Sequence, residues 1–85
     1  MNGKPAVLIV DDSSAILFVV EKMLQGEFEI SLAKDGTSAQ TLLSQRHFDA
    51  VICDYMLPDA TGIDVLAALG EKDIVKILIT SQNNL

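Results

Sequence analysis

Asp54 closes a short apolar run, Ala50-Val51-Ile52-Cys53, and Pro58 and Gly62 follow it at intervals of four residues. Val, Ile and Cys suit a strand buried on both faces, because β-branched side chains pack well on a pleated sheet. Asp54 therefore stands where strand gives way to loop. Pro58 cannot continue a ladder and turns the chain, and Gly62 supplies backbone freedom before the next helix. Ligands of an open α/β sheet bind at the carboxyl ends of its strands. A carboxylate there, followed by a stiffened loop, is placed for chemistry. A second apolar run, Ala6-Val7-Leu8-Ile9-Val10, also ends on carboxylates, Asp11 and Asp12. If the two strands lie parallel and adjacent, all these carboxylates meet at one edge of the sheet. Like charges about 4 Å apart at an effective dielectric of about 20 cost about 4 kcal/mol per pair. Such a cluster is tolerable if one group takes up a proton or a cation sits among them. Oxygen-only ligands of high charge suit a hard ion, Mg2+ or Mn2+, that bridges to phosphate oxygens. That is the chemistry of phosphoryl transfer onto an aspartate.

The elements that must position these groups follow from the hydropathy pattern. After Met1 to Pro5, a polar lead-in, strand one is expected at Ala6 to Val10. Ser13 or Ser14 caps a first helix from about Ser14 to Gln25, and Gly26 ends it. Ile16, Val20, Met23 and Leu24 form its inward stripe at helical spacing. Leu17, Phe18 and Val19 are apolar as well, so this helix is greasy nearly all round and wants a second partner surface. Phe28, Ile30 and Leu32 alternate with Glu29 and Ser31, the period of a half-buried edge strand. Lys34-Asp35-Gly36 is a turn, and Thr37 or Ser38 starts a second helix with Ala39, Leu42 and Leu43 inward. A third helix carries Ile63, Val65, Leu66 and Leu69 inward and stops at Gly70, and a fourth strand runs from Val75 to Ile79, ending at Thr80. Strands alternating with helical patterns make βα units and a parallel sheet.

Composition narrows the function. The chain has 85 residues, one domain's worth, with an apolar fraction of 49% that is high for its size. A chain this long buries little more than about 60% of its unfolded surface, so its core is marginal. The net charge of −6 argues against nucleic acid, whose phosphates need clustered Lys and Arg. The single Cys excludes an internal disulfide and fits a reducing cytoplasm. No apolar run approaches the roughly 20 residues of a membrane helix, and the run from Ala6 is too short for a signal peptide. Each candidate has a plainer reading beside the chemical one. Asp54 could be a turn-former, Asp12 a charge favoured by a helix dipole, and Thr80 an ordinary strand residue. Cys53 reads as core, His47 as a surface loop residue and Asp59 as solvated. The spacing of Asp11, Asp12, Asp54, Pro58 and Gly62 favours a site.

These residues resemble a known family. Val10-Asp11-Asp12-Ser13, then Asp54-Tyr55-Met56-Leu57-Pro58-Asp59-Ala60-Thr61-Gly62, then Ile77-Leu78-Ile79-Thr80-Ser81 look like the receiver domain of two-component response regulators. The match runs in order along almost the whole chain. The resemblance implies a flavodoxin-like α/β fold, an open parallel sheet with helices on both faces. The expected element order is β1-α1-β2-α2-β3-α3-β4 with strand order 2-1-3-4. It implies Asp54 as phosphoacceptor and Asp11, Asp12, Asp54 and the backbone carbonyl of Met56 as Mg2+ ligands, with Mn2+ as an alternative. Thr80 resembles the hydroxyl residue that moves toward the phosphoryl group. Ser81, beside the site, would leave that group room to enter.

Family members continue past the Thr strand with a helix, a fifth strand ending in Lys-Pro, and a fifth helix. Lys34, Lys72 and Lys76 are not in the position of the family's lysine, so residues 1–85 are read as one shortened receiver domain, natural or a piece of a longer protein. The expected function is that of a cytoplasmic signal-transduction module rather than an enzyme. Asp54 would accept a phosphoryl group with Mg2+, from a sensor histidine kinase or a histidine phosphotransfer domain, and the missing Lys would impair the reaction. The alternatives are an interaction module derived from a receiver and a fragment of a normal regulator. A strand-four edge, an uncovered sheet face and an apolar first helix all point to a homodimer. Neither nucleic acid nor membrane is an expected partner.

Overall fold

The computed structural model describes residues 3–70 and 73–80. Ser81 and Lys72 lie outside the described residues. Seven elements alternate along the chain: β1 (Ala6–Val10), α1 (Ser14–Leu24), β2 (Glu29–Ala33), α2 (Gly36–Gln45), β3 (Ala50–Asp54), α3 (Gly62–Ala67) and β4 (Val75–Ile79). The strands form one parallel sheet in the order β2-β1-β3-β4, as the sequence leads one to expect.

Alternation along β1 divides the interior between the two faces of the sheet. Leu8 and Val10 pack with Val51, Cys53, Phe48 and Ala39 on the side that also receives Val65 and Leu69. Val7 and Ile9 pack on the other side with Leu17, Val20, Leu24, Phe28 and Ile30. Successive strand side chains point to opposite faces, so a central strand covered by α1 on one face and by α2 and α3 on the other is apolar at every position. Every residue of β1 is buried.

The first helix differs from its sequence reading in phase. Leu17 is its most deeply buried residue, 4% exposed, whereas Met23 is 75% exposed and Phe18 60%. Ile16, Val20 and Leu24 are half-buried. With apolar residues on every side, helical periodicity carries no phase. The sheet face chose Leu17 with Val20 and Leu24, a spacing of three and four that aligns side chains on one side of a helix. Ile63, also read as inward, is exposed. Ser13 is the N-cap of α1, its hydroxyl accepting the Ile16 N–H at 3.2 Å. Gly26 and Gly70 follow α1 and α3 with φ of 98° and 60°, the left-handed conformation expected of a helix-ending glycine.

Gly62 has a different reason from the one its sequence context suggests. Its φ is not positive. A Cβ there would instead collide with the carbonyl oxygen of Asp54 and come within 2.6 Å of Leu78 Cδ1. Close approach, not turn geometry, excludes a side chain.

Truncation at the two disputed positions of α1 separates the readings. Leu17→Ala is expected to lower unfolding stability by about 2–4 kcal/mol, and Met23→Ala by no more than about 0.5 kcal/mol. Urea midpoints for the two variants check this. Equal losses would return Met23 to the core.

Candidate functional site

The acidic site follows from strand register. β1 and β3 are parallel neighbours, with Val10 level with Cys53. The next residues, Asp11 and Asp54, are therefore level at the carboxyl edge. Adjacent strands lie about 4.8 Å apart, so two in-register side chains cannot avoid each other. The chain also leaves β1 toward β2 on one side and reaches β3 on the other. That reversal opens a crevice at the strand ends, where open α/β sheets bind ligands.

One carboxylate oxygen from each of Asp11, Asp12 and Asp54 lies within 4.8 Å of the others. Asp11 is 1% exposed and Asp54 3%, while Asp12 is exposed and leaves the cluster accessible from solvent. Asp11 Oδ1 accepts the Ser13 N–H at 2.9 Å. Among the described residues, Asp11 Oδ2 and Asp54 Oδ1 are buried oxygens with no hydrogen-bond partner. Buried polar atoms are nearly always paired, and leaving one unpaired is costly. Burial raises the pKa of Asp11, and the charges of Asp54 and Asp12 push it further, against the lowering effect of the Ser13 N–H. Two unpartnered buried oxygens in an all-oxygen cluster of three carboxylates fit a hard divalent cation.

The loop after Asp54 is tightly tied. Gly62 N–H donates to the Tyr55 carbonyl at 2.7 Å, and Leu57 N–H to that of Ala60 at 3.1 Å. Met56 forms an antiparallel bridge with Thr61, and Thr61 and Asp64 make a reciprocal capping box at the start of α3. Met56 thus sits in a fixed loop beside the acceptor position. On the other side, Tyr55 N–H donates to the Ile79 carbonyl at 2.8 Å and Asp54 is level with Ile79. Thr80, the next residue, reaches the same edge as Asp54, one strand over.

Two other sequence readings have their places. Cys53 is buried, and its thiol is pushed up to about 11 by burial and by the charges of Asp54 and Asp11. It is a core residue with little thiolate at neutral pH. His47 is exposed and pairs with Asp49 at 3.3 Å, away from the acidic cluster. Asp59, read as solvated, is exposed and in addition accepts the N–H groups of Gly36 at 2.7 Å and Thr37 at 3.0 Å and the Thr37 hydroxyl at 2.8 Å. Those partners lie 22 and 23 residues away, beyond any local pattern.

The family model for the response regulator receiver domain matches residues 7–85. The chain belongs to this family. It is 35% identical over 74 residues to the chemotaxis protein CheY of Pseudomonas aeruginosa, covering 85% of this chain and 60% of CheY. It is also 35% identical over 86 residues to the probable transcriptional regulatory protein TcrX of Mycobacterium tuberculosis, covering 96% of this chain and 37% of TcrX. Among solved structures, the MaeR response regulator bound to beryllium trifluoride superposes with a TM-score of 0.84 at 32% identity, covering 94% of this chain and 70% of MaeR. The chain thus spans between about a third and two thirds of the length of these curated relatives. Receivers are signalling domains of two-component systems that interact with histidine kinases and typically bind Mg2+ through acidic residues.

The titration of this receiver's carboxylates has a definite sign. The raised pKa of Asp11 means that its contribution to stability is complete below the unfolded value of 3.8 and is lost as pH rises through the folded value. Asp49 and Asp59 act oppositely. The Ala6 N–H lowers the first, and the Gly36 N–H, with the hydroxyl and N–H of Thr37, lowers the second. Their contributions are present above 3.8 and fade as pH falls through the folded values. Without divalent cations, Asp11→Asn is therefore expected to stabilise the protein near neutral pH, where the raised carboxylate works against folding. Urea unfolding with and without chelator measures it. A destabilised Asn variant would contradict the repulsion.

Proposed function

We propose that this receiver accepts a phosphoryl group on Asp54, with Mg2+ or Mn2+ held by Asp11, Asp12, Asp54 and the Met56 carbonyl. The observation that carries the reading is the pair of unpartnered buried oxygens, Asp11 Oδ2 and Asp54 Oδ1, in one cluster at the crevice of the sheet. In the reaction, an Asp54 oxygen forms a bond to phosphorus while the P–N bond of a donor phosphohistidine breaks. The electron pair stays with the imidazole nitrogen. A small acyl phosphate would lose its carboxylate instead. When bound, the ion neutralises charge on the transferring oxygens.

The chain's own residues supply position. The β1–β3 register holds Asp54 beside Asp11, and burial keeps competing water from the acceptor. Asp12, exposed, lies on the side from which a cation arrives. Thr80, at the strand end next to Asp54, supplies the hydroxyl that senses the new group. MaeR, a structural neighbour, is bound to beryllium trifluoride, an anion that imitates a phosphoryl group, which supports the same use of this site. The donor is a cytoplasmic histidine kinase or histidine phosphotransfer domain. The chain itself turns over no substrate beyond its own acyl phosphate.

A second reading, self-association, draws on exposed apolar surface. Phe18, Val19 and Met23 of α1 and Val75, Ile77 and Leu78 of β4 are all exposed. A second copy would bury such surface across a two-fold axis. Light scattering across the micromolar range is expected to give a dimer mass. A monomer at every concentration would remove this reading and leave the first intact.

Incubation with acetyl phosphate and Mg2+ is expected to add about 80 Da, the mass of one phosphoryl group, and Asp54→Asn is expected to abolish the adduct. A folded wild-type chain that gains no such mass would refute phosphoacceptance on Asp54.

A further inference from the structure

We propose that Asp59 is a positioning residue, latching the loop after Asp54 to the first turn of α2 so that the acidic site keeps its grip on a divalent cation. The proposal rests on the phosphoacceptor reading above.

A helix leaves its first N–H groups without partners inside the helix. In α2, Asp35 is the N-cap and accepts the Ser38 N–H at 2.7 Å. That is the ordinary local solution. The Gly36 and Thr37 N–H groups go instead to Asp59, one on each carboxylate oxygen, and the Thr37 hydroxyl joins the second oxygen. Asp35 satisfies one of the first N–H groups of α2, and a carboxylate from a distant loop satisfies two more. The contact joins two segments 22 and 23 residues apart in the chain.

Both ends of the latch lead to the acidic site. On one side, the hydrogen bonds from Gly62 to Tyr55 and from Leu57 to Ala60 make the loop a short tied hairpin, with Asp59 near its tip and Met56 at its base. On the other, α2 follows β2 after a short turn, and the last residue of β2, Ala33, accepts the Asp11 N–H at 3.0 Å. A closed circuit results: Asp11, Ala33, the turn to Gly36, Asp59, the tied loop and Asp54, completed by the β1–β3 register. Gly36 packs closely against the tip of that loop. A Cβ on Gly36 would meet both Ala60 Cβ and Asp59 Oδ1 at 3.1 Å.

The chemistry asks for a carboxylate. Three donors converge on both oxygens, and a carboxamide offers only one accepting oxygen. The Gly36 N–H, followed by the Thr37 hydroxyl and N–H, also holds the Asp59 pKa below the usual carboxylate range, so the latch stays ionised at neutral pH.

The test compares Asp59→Ala and Asp59→Asn with Asp35→Ala, which removes the local cap and one acidic charge but leaves the latch. Thr37→Val removes a single latch bond and no charge. Mg2+ affinity is read by calorimetric titration with MgCl2, and loop order by amide exchange at Leu57 and Gly62 in metal-free protein. Supporting partners outside a metal's ligand set usually change affinity by 10- to 100-fold, and a tether one step further out is expected at the low end, about 10-fold for the Asp59 variants. Thr37→Val should show a smaller loss, and Asp35→Ala should bind nearly as the wild type does. Exchange at Leu57 and Gly62 should accelerate in the Asp59 variants, with β1 amides unchanged. Normal Mg2+ binding by the Asp59 variants, an equal loss in Asp35→Ala, or unchanged exchange at Leu57 and Gly62 would each overturn the latch and leave the phosphoacceptor reading standing. A folded wild type that takes up no Mg2+ would overturn that reading and the latch with it.

Discussion

Two buried carboxylates held side by side by strand register are the constraint on which this receiver depends. Parallel pairing of β1 with β3 fixes Val10 against Cys53, so the residues that end the two strands cannot separate without a slip in register. A one-residue slip would exchange the side chains that β1 presents to its two packed faces and draw Pro5 or Asp11 into the sheet. Because β1 is buried on both faces, every alternative register is expensive. The hydrophobic interior therefore supplies the force that holds like charges together, and the price appears at the strand ends, as a raised Asp11 and as carboxylate oxygens without donors.

The rest of the site limits how that strain can relax. If the loop after Asp54 were free, the strand end could bend and part the carboxylates. Gly62 prevents this by lying so close to the Asp54 carbonyl that no side chain fits between them. The hairpin bonds of the loop and the Tyr55 bond to Ile79 hold the same backbone from two sides. Relief is left to something that arrives from solvent, on the side where Asp12 is exposed. A cation does this directly, and a proton on Asp11 does it in part.

Much of this was legible in the sequence. The ranges read for β1 and β4 agree with the structure residue for residue, and β3 gains only Asp54. A strand covered on both faces is written as an unbroken apolar run, and its end is written as a carboxylate. The two runs ending in Asp11 and Asp54 therefore carried both the fold and the place of the site. Where apolarity is not confined to one side, the same signal fails. In α1 it could not say whether Leu17 or Met23 faces the sheet, because that choice belongs to the sheet. Gly62 was legible as a required glycine, but its reason, the approach to Asp54 and Leu78, exists only in three dimensions. Asp59 was illegible for the same cause. Its partners sit across two loops, and an exposed Asp in a Pro-containing turn has no feature that distinguishes a cap for a distant helix from a solvated side chain.

Folding and ligand binding in this receiver share one electrostatic term. The unfolded chain has no preformed cluster, so a cation held by Asp11, Asp12 and Asp54 would bind the folded state alone and stabilise it by an amount that grows with the logarithm of the free ion concentration above the dissociation constant. The low dielectric that makes the unpaired oxygens costly also strengthens their attraction to an ion once one is present. A phosphoryl group on Asp54, as proposed, would change the balance again, because it would add negative charge where the strands cannot move apart. The strand ends are fixed there by register, and the neighbouring strand, β4, ends at Ile79, so that Thr80 is the first residue beyond it. On that proposal, relaxation of the added charge would have to come from groups at the rim, such as a hydroxyl turning inward or a cation held more tightly.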